Sequence, residues 1–523
     1  MLLVLAGIEA TVPWLCKYWL FDHSPSNLAA IHILQSLSAS PDSPFAQHFT
    51  DQLRIAPYSL HSWLLLALSP ITGLLDAHRI IVSALAVAIP VSVYGALRRL
   101  APDRRVNAWL YAPLGMTIFV GGGMQGFALS LPPMLLAWAM VCGTKAAAGR
   151  RRSIEIAVAA LLFLVSAFAH PTGPIVGAIA ITLFQGRRLL HPRSLIEAAL
   201  ALFPAFAWLA GSELASHAPH EGTVGYLDVV WGSADRALHY FFVAFKVTSR
   251  LEVLARGLVF AIYAWGFVRA LLRDRARTLP FARVAVFFLA MWLVGPLKVG
   301  DATVTHRFAV LFITFTAFCA DLPPILTPRR IALVSLATAI TVAAIQVPNA
   351  RHVDTIFDEV IAIGEHIPRG ATVFPLSFER DELVRSYRRN LQPWSYLVVS
   401  RDIVTPYLPA AGAIGQSGHE LRPLAYKQPP SIEHLPAPYP MRAAEDLCKQ
   451  LVLTPSEDCQ SWRTLRYRTY VEQALKYDRT LVFEPPAEFV AELERAMILD
   501  ERRGDIWLFR PRPEAEHSRR TPD

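Results

Sequence analysis

Residues 80–97, IIVSALAVAIPVSVYGAL, followed at once by RRLAPDRR at 98–105, decide how the chain is read. No charge interrupts the run, and about twenty apolar residues suffice to cross the hydrocarbon core of a bilayer. The arginines behind it, Arg98, Arg99, Arg104 and Arg105, are the kind of cluster that the cytoplasmic side of a membrane retains. Working outward, the same alternation recurs. Apolar runs at 2–21, 107–120, 127–142, 154–169, 172–185, 195–211, 251–272, 281–296, 308–322 and 331–347 bring the expected total to about eleven spans. Loops rich in cations (Lys145 with Arg150, Arg151 and Arg152; Arg187, Arg188 and Arg193; Arg273, Arg275 and Arg277; Arg329 and Arg330) alternate with loops that lack them (Gly121 to Gly126, His170 to Gly173, Gly211 to Arg250, Pro296 to Arg307). The parity predicts a cytoplasmic N-terminus and an extracytoplasmic tail.

Composition agrees. With 523 residues, 53% of them apolar, and a mean hydropathy of +0.35, the chain has more apolar surface than a soluble core can hide. The formal charge of +8 lies in short clusters between apolar runs, which excludes a nucleic-acid partner in favour of topology. Composition changes once, near residue 350, dividing a membrane module at 1–349 from a soluble domain at 350–515 and a disordered end at 516–523. The first segment lacks a basic n-region and a small-residue cleavage site, so it reads as a retained span. The apolar stretch Tyr58 to Leu75 would break the charge parity if it crossed. It is read as interfacial or re-entrant, within an outer loop spanning 22–78.

That loop opens Phe21-Asp22-His23-Ser24-Pro25-Ser26-Asn27, with Ser24 and Pro25 suited to starting a helix. Leu28, Ile31, Leu34 and Leu37 follow at helical spacing, as on an amphipathic helix at the membrane surface. In the tail, helices are expected at 355–366, 471–477 and 487–497 and strands at 371–375, 480–483 and 505–509, which make a small α/β domain. Residues 423–440 read as a Pro-rich loop. Cys448 and Cys459 either close a disulfide in an oxidising compartment or remain two free thiols. Cys16, Cys142 and Cys319, within apolar runs, read as small hydrophobes.

The combination resembles the GT-C-type polytopic glycosyltransferases that use polyprenyl-phosphate-linked sugars, in their poorly characterised bacterial branch. The resemblance rests on Asp22 directly after the first span, on Pro57-Tyr58 opening an apolar helix before Ala77-His78-Arg79, on Gly126-Phe127 opening a later span, and on His306-Arg307-Phe308 at the end of a late outer loop. It departs from the bacterial pattern where Asn27-Leu28-Ala29-Ala30 lacks an arginine. It implies a polytopic helical membrane fold with a small α/β extracytoplasmic domain, placed in a bacterial inner membrane. It also implies a lipid-phosphate sugar donor and a glycan or lipid acceptor. Asp22 would then be the base, assisted by His23, and Arg79 and Arg307 would hold the donor phosphate, with Lys298 and His306 adding positive potential. Many such enzymes add a second acidic residue in an early outer loop to help hold a divalent metal. None lies in Gly121 to Gly126, which leaves Asp22 as the candidate ligand.

Three functions fit these residues: sugar transfer from a lipid carrier, transport, and a non-catalytic role in assembling envelope polysaccharide. Transport would call for internal repeats or ionisable groups deep in the spans. No repeat is evident, and in-span charges such as Arg256 fall near predicted ends.

Overall fold

The structure, a computed structural model, describes residues 1–21, 24–121, 124–143, 149–216, 229–231, 244–245, 249–299, 302–378, 392–406, 408, 410–411, 424–427 and 467–513. Asp22, His23, Cys448, Cys459 and the segment after His517 lie outside these residues, as does most of the 423–440 stretch. Contacts divide the chain into two compact units, Met1–Trp19 with Arg54–Ala350, and Leu20–Leu53 with Arg351–Asp523. The stretch 22–78, counted with the membrane module from sequence, is thus shared between the two.

The first unit is helical. It contains α1 (Leu2–Thr11), α3 (Leu60–Thr72), α4 (Leu74–Leu100), α5 (Asn107–Tyr111), α6 (Ile118–Gly121), α7 (Gln125–Cys142), α8 (Arg150–Ala169), α9 (Thr172–Gln185), α10 (Pro192–Ser216), α11 (Arg250–Arg273), α12 (Arg275–Val294), α13 (Thr305–Cys319) and α14 (Pro328–Gly364), which carries the chain into the second unit. Among the described residues seven helices are long and apolar enough to cross a membrane: α4, α7, α8, α10, α11, α12 and α14. Leu2–Leu15, α3 and α13 are shorter apolar helices. Their apolar faces turn outward, with Leu161, Leu200, Leu254 and Trp265 all exposed, as lipid-facing side chains are.

Two expectations take a more specific form. The run at 107–120 is broken into α5, a single turn at Ala112–Leu114 and α6, because Pro113 lacks an amide hydrogen for the helix ladder. The 58–75 stretch contains α3, whose 13 residues extend about 20 Å, short of the roughly 30 Å hydrocarbon core. It stops at Gly73, whose φ of +81° suits a residue without a Cβ.

The contacts sort the loops by charge. Arg104 is buried and donates to the carbonyls of Phe318 and Cys319 (3.0 and 2.9 Å) and to Thr278 (3.0 Å). Arg277 pairs with Asp103, Arg99 with Glu155, Arg152 with Glu197, and Arg269 with Asp321. All the cation-rich loops therefore meet at one end of the unit. The cation-poor loops meet at the other. There, β2 (Val229–Trp231), β3 (Pro296–Val299) and β4 (Ala302–Thr303) join the 211–250 and 296–307 loops in one antiparallel sheet.

In the second unit β5 (Val373–Ser377), β8 (Arg479–Phe483), β10 (Ile506–Pro511) and β9 (Met497–Arg503) form a sheet in the order β5-β8-β10-β9, parallel only at β5–β8. The helix α16 (Ala487–Ala496) packs Phe489 and Leu493 with Phe374, Phe378 and Tyr467 into its core. On α2 (Ser24–Ala39), Leu28, Ala29, Ala30, Ile31, Ile33 and Leu34 are all buried within this unit. This helix packs on α15 (Ser395–Arg401), and β1 (Phe49–Asp51) pairs with β7 (Leu424–Tyr426), which also pairs with β6 (Ala410–Ala411). The β1–β7 pairing thus builds part of the loop after α1 into the same unit as part of the tail.

Candidate active site

At the cation-poor end of the first unit, Arg307 lies on the first turn of α13. Its guanidinium sits 5.8 Å from the Phe127 ring, with the Tyr58 phenol and the His170 imidazole in electrostatic reach. Among the described residues it has no hydrogen-bond or ion-pair partner, and its buried Nε is unsatisfied. A half-buried cation in that condition attracts an anion, since desolvation without a counter-charge is costly. The planar fork of arginine matches the oxygens of a phosphate.

The surroundings are aromatic. Phe119 stacks on His306 at 5.0 Å and meets Phe127 at 4.5 Å, while Tyr58 meets His170 edge-on at 4.6 Å. Tyr58 has a φ of +69°, a left-handed conformation that is uncommon outside glycine and asparagine and that concentrates at functional sites. His170, in the turn between α8 and α9, accepts the Thr172 amide hydrogen on Nδ1 at 3.2 Å. Burial first, and the nearby Arg307 second, hold it well below the ordinary imidazole range, so it is neutral and Arg307 supplies the local positive charge. Gly126 allows this close packing: a Cβ there would stand 3.0 Å from the Ala169 carbonyl oxygen.

The other candidates fall into three groups. Arg79 donates to Asp76 at 2.8 Å, to the Cys16 carbonyl at 2.7 Å and to the Lys17 carbonyl, and lies over Trp14. Its Nη1 and Nη2 tie the end of the first helix to α4, while its buried Nε, like that of Arg307, has no partner among the described residues. None of those partners is shared with Arg307. His306 is buried beside Arg307, and the backbone of Lys298 lies in β3. Asp22 and His23 are outside the described residues. Among those residues no group of three or more His, Cys, Asp or Glu converges as a metal would need. The sequence reading missed Tyr58, Phe119, Phe127 and His170 as a set, although Pro57-Tyr58 and Gly126-Phe127 had each marked one of them.

Fold and end-to-end charge asymmetry thus define a multi-pass membrane protein with an arginine that, among the described residues, lies unpaired in an aromatic shell. The sequence matches no family model and no curated protein. Among solved structures the chain is similar to ArnT from Cupriavidus metallidurans in the apo state, at 10% identity and a TM-score of 0.55 over 98% of this chain and 97% of that one. It is equally similar to the same protein bound to undecaprenyl phosphate, at 11% identity and 0.55 over the same shares. A mycobacterial arabinofuranosyltransferase, AftD, aligns at 13% identity and a TM-score of 0.48, over 98% of this chain and 40% of that one. The chain has the GT-C-type fold of polytopic membrane glycosyltransferases.

Proposed function

We propose that the protein moves a sugar from a polyprenyl-phosphate carrier to a glycan or lipid acceptor at the outer face of a bacterial inner membrane. The observation that carries this reading is Arg307, unpaired among the described residues and set among Tyr58, Phe119, Phe127 and His170, at the end of the bundle remote from the arginine clusters. Retention of cations on the cytoplasmic side puts that end outside, with the N-terminus inside and the tail outside. The fold shared with a protein crystallised with undecaprenyl phosphate supports a lipid-phosphate donor.

In this scheme Asp22, with His23 beside it, takes the proton of the acceptor hydroxyl as the hydroxyl oxygen bonds to the sugar's anomeric carbon. The bond from that carbon to the carrier phosphate oxygen breaks, and the phosphate leaves with the electron pair. Arg307 meets the charge that develops there, with Lys298 and His306 adding to the local potential. Arg79 contributes by holding the end of the first span, immediately before Asp22.

The test is transfer of a labelled sugar from a polyprenyl-phosphate donor by protein in proteoliposomes. Arg307→Ala and Asp22→Asn should each lower turnover by about 10²–10³ while the protein still folds. Full transfer by Asp22→Asn would remove that residue as the base. Accumulation of donor in the vesicle lumen without any covalent product would instead mark a transporter.

A further inference from the structure

We infer that the groove beside α12, at the cation-rich end of the first unit, binds one anionic phospholipid, with its phosphate on Arg283 and an acyl chain along the apolar wall. The groove has a volume of about 450 Å³ and is lined by Leu271 of α11 and by Arg275, Leu279, Ala282, Arg283 and Val286 of α12. Steps of three and four residues put those α12 positions on one helix face, so the groove follows α12 toward its cation-rich end. Four of the six side chains are apolar. They give a hydrocarbon chain its wall, and the two arginines present planar forks to a headgroup phosphate.

Arg283 marks the level of that headgroup. It lies in the third turn of a helix long and apolar enough to cross a membrane, yet the residue is exposed. Its guanidinium lies against Gly186, just past the end of α9, where a Cβ would collide with Nη1. Arg187 and Arg188 follow directly and are exposed. An apolar helix that ends in arginines ends at the polar edge of the bilayer, so Arg283 stands at that edge with the apolar wall beside it.

Its charge has no answer within the protein. Arg275 and Arg283 have no hydrogen-bond or ion-pair partner among the described residues. The acids of this end are taken elsewhere: Asp103 pairs with Arg277, Glu155 with Arg99, Glu197 with Arg152 and Asp321 with Arg269. Asp274 turns back to accept the Arg277 amide hydrogen at 3.1 Å. Residues 144–148, outside the described set, hold one lysine and no acid. An unanswered cation at the membrane edge draws the phosphate of a lipid. The same cations repel the ammonium of a zwitterionic headgroup, which makes the occupant an anionic phospholipid. The groove is at the opposite end from Arg307 and does not depend on sugar transfer.

The test titrates phosphatidylglycerol, and phosphatidylcholine with the same chains, against the delipidated full-length protein and counts bound lipid by native mass spectrometry. One phosphatidylglycerol should be retained under conditions that strip phosphatidylcholine. Arg283→Gln should weaken that binding by about tenfold. Val286→Trp, at an exposed position, keeps both arginines but fills the groove, and should weaken it as well even if Arg283→Gln were to misfold. Arg98→Gln removes a cation of α4 that does not line the groove and should leave binding unchanged. Equal retention of the two lipids would overturn the proposal. So would an Arg98→Gln loss as large as that of Arg283→Gln, which would mark diffuse surface charge, or unchanged binding in Val286→Trp. Undecaprenyl phosphate displacing phosphatidylglycerol one for one would overturn it in favour of a second carrier site.

Discussion

His32 Nε2 lies 2.8 Å from Asp402 Oδ1, a contact that joins residues 370 positions apart. His32 is on α2, in the loop that follows the first span, and Asp402 ends α15 in the left-handed conformation with a φ of +57°. Arg369 approaches the same carboxylate at 3.6 Å. The loop that carries Asp22 is therefore built into the same unit as the tail.

Breaking that contact should loosen the loop selectively. With both side chains about a quarter exposed, Asp402→Ala should cost about 1 kcal/mol or less. The more sensitive readout is limited proteolysis within residues 40–53, which should accelerate in Asp402→Ala and in His32→Ala. Unchanged cleavage in both variants would show that β1–β7 pairing and the burial of α2 hold the loop alone.

Arg104 is expected to be structural. Its three hydrogen bonds go to two carbonyls and a hydroxyl that Arg104→Ala would leave buried, so the loss should be at least the roughly 1–3 kcal/mol of one unsatisfied buried group. Arg104→Lys should recover little, because one ammonium cannot reproduce the fork. Thermal unfolding in detergent checks both. Its neighbours Arg98 and Arg105, toward the surface, should tolerate alanine.

The spans and their grouping by end were legible because hydropathy and loop charge are local signals, each carried by a few adjacent residues. Arg104 shows the limit of that reading: it counts as a topological marker in sequence, yet folding buries it against residues some two hundred positions away. α2 was legible as a helix, but its packing on α15 was not, since α15 lies beyond residue 350. The strand β9 was missed because MILDERR is charged and sits on the sheet edge, where side chains face water. It turns at Gly504, whose φ is +55°.

A pH effect is expected where β1 meets β7. His48, whose carbonyl accepts the Lys427 amide hydrogen at 2.8 Å, is held below 6.5 by burial, with Asp478 opposing. A depressed folded value means that the unfolded chain binds the proton more readily, so stability is lost as the pH falls below about 6.5 toward the folded value. His48→Gln should flatten that limb of a pH–melting profile. An identical profile would assign the acid sensitivity to other groups.

The claim that Arg307 receives the lipid phosphate is tested most directly by titrating undecaprenyl phosphate against the purified protein and reading bound lipid by native mass spectrometry. Binding by the wild type should weaken by about 10–100-fold in Arg307→Ala, since a charge-assisted phosphate contact contributes roughly 1.5–3 kcal/mol. In Arg307→Lys it should recover only in part. Arg307→Ala binding the lipid phosphate as tightly as the wild type would contradict the assignment.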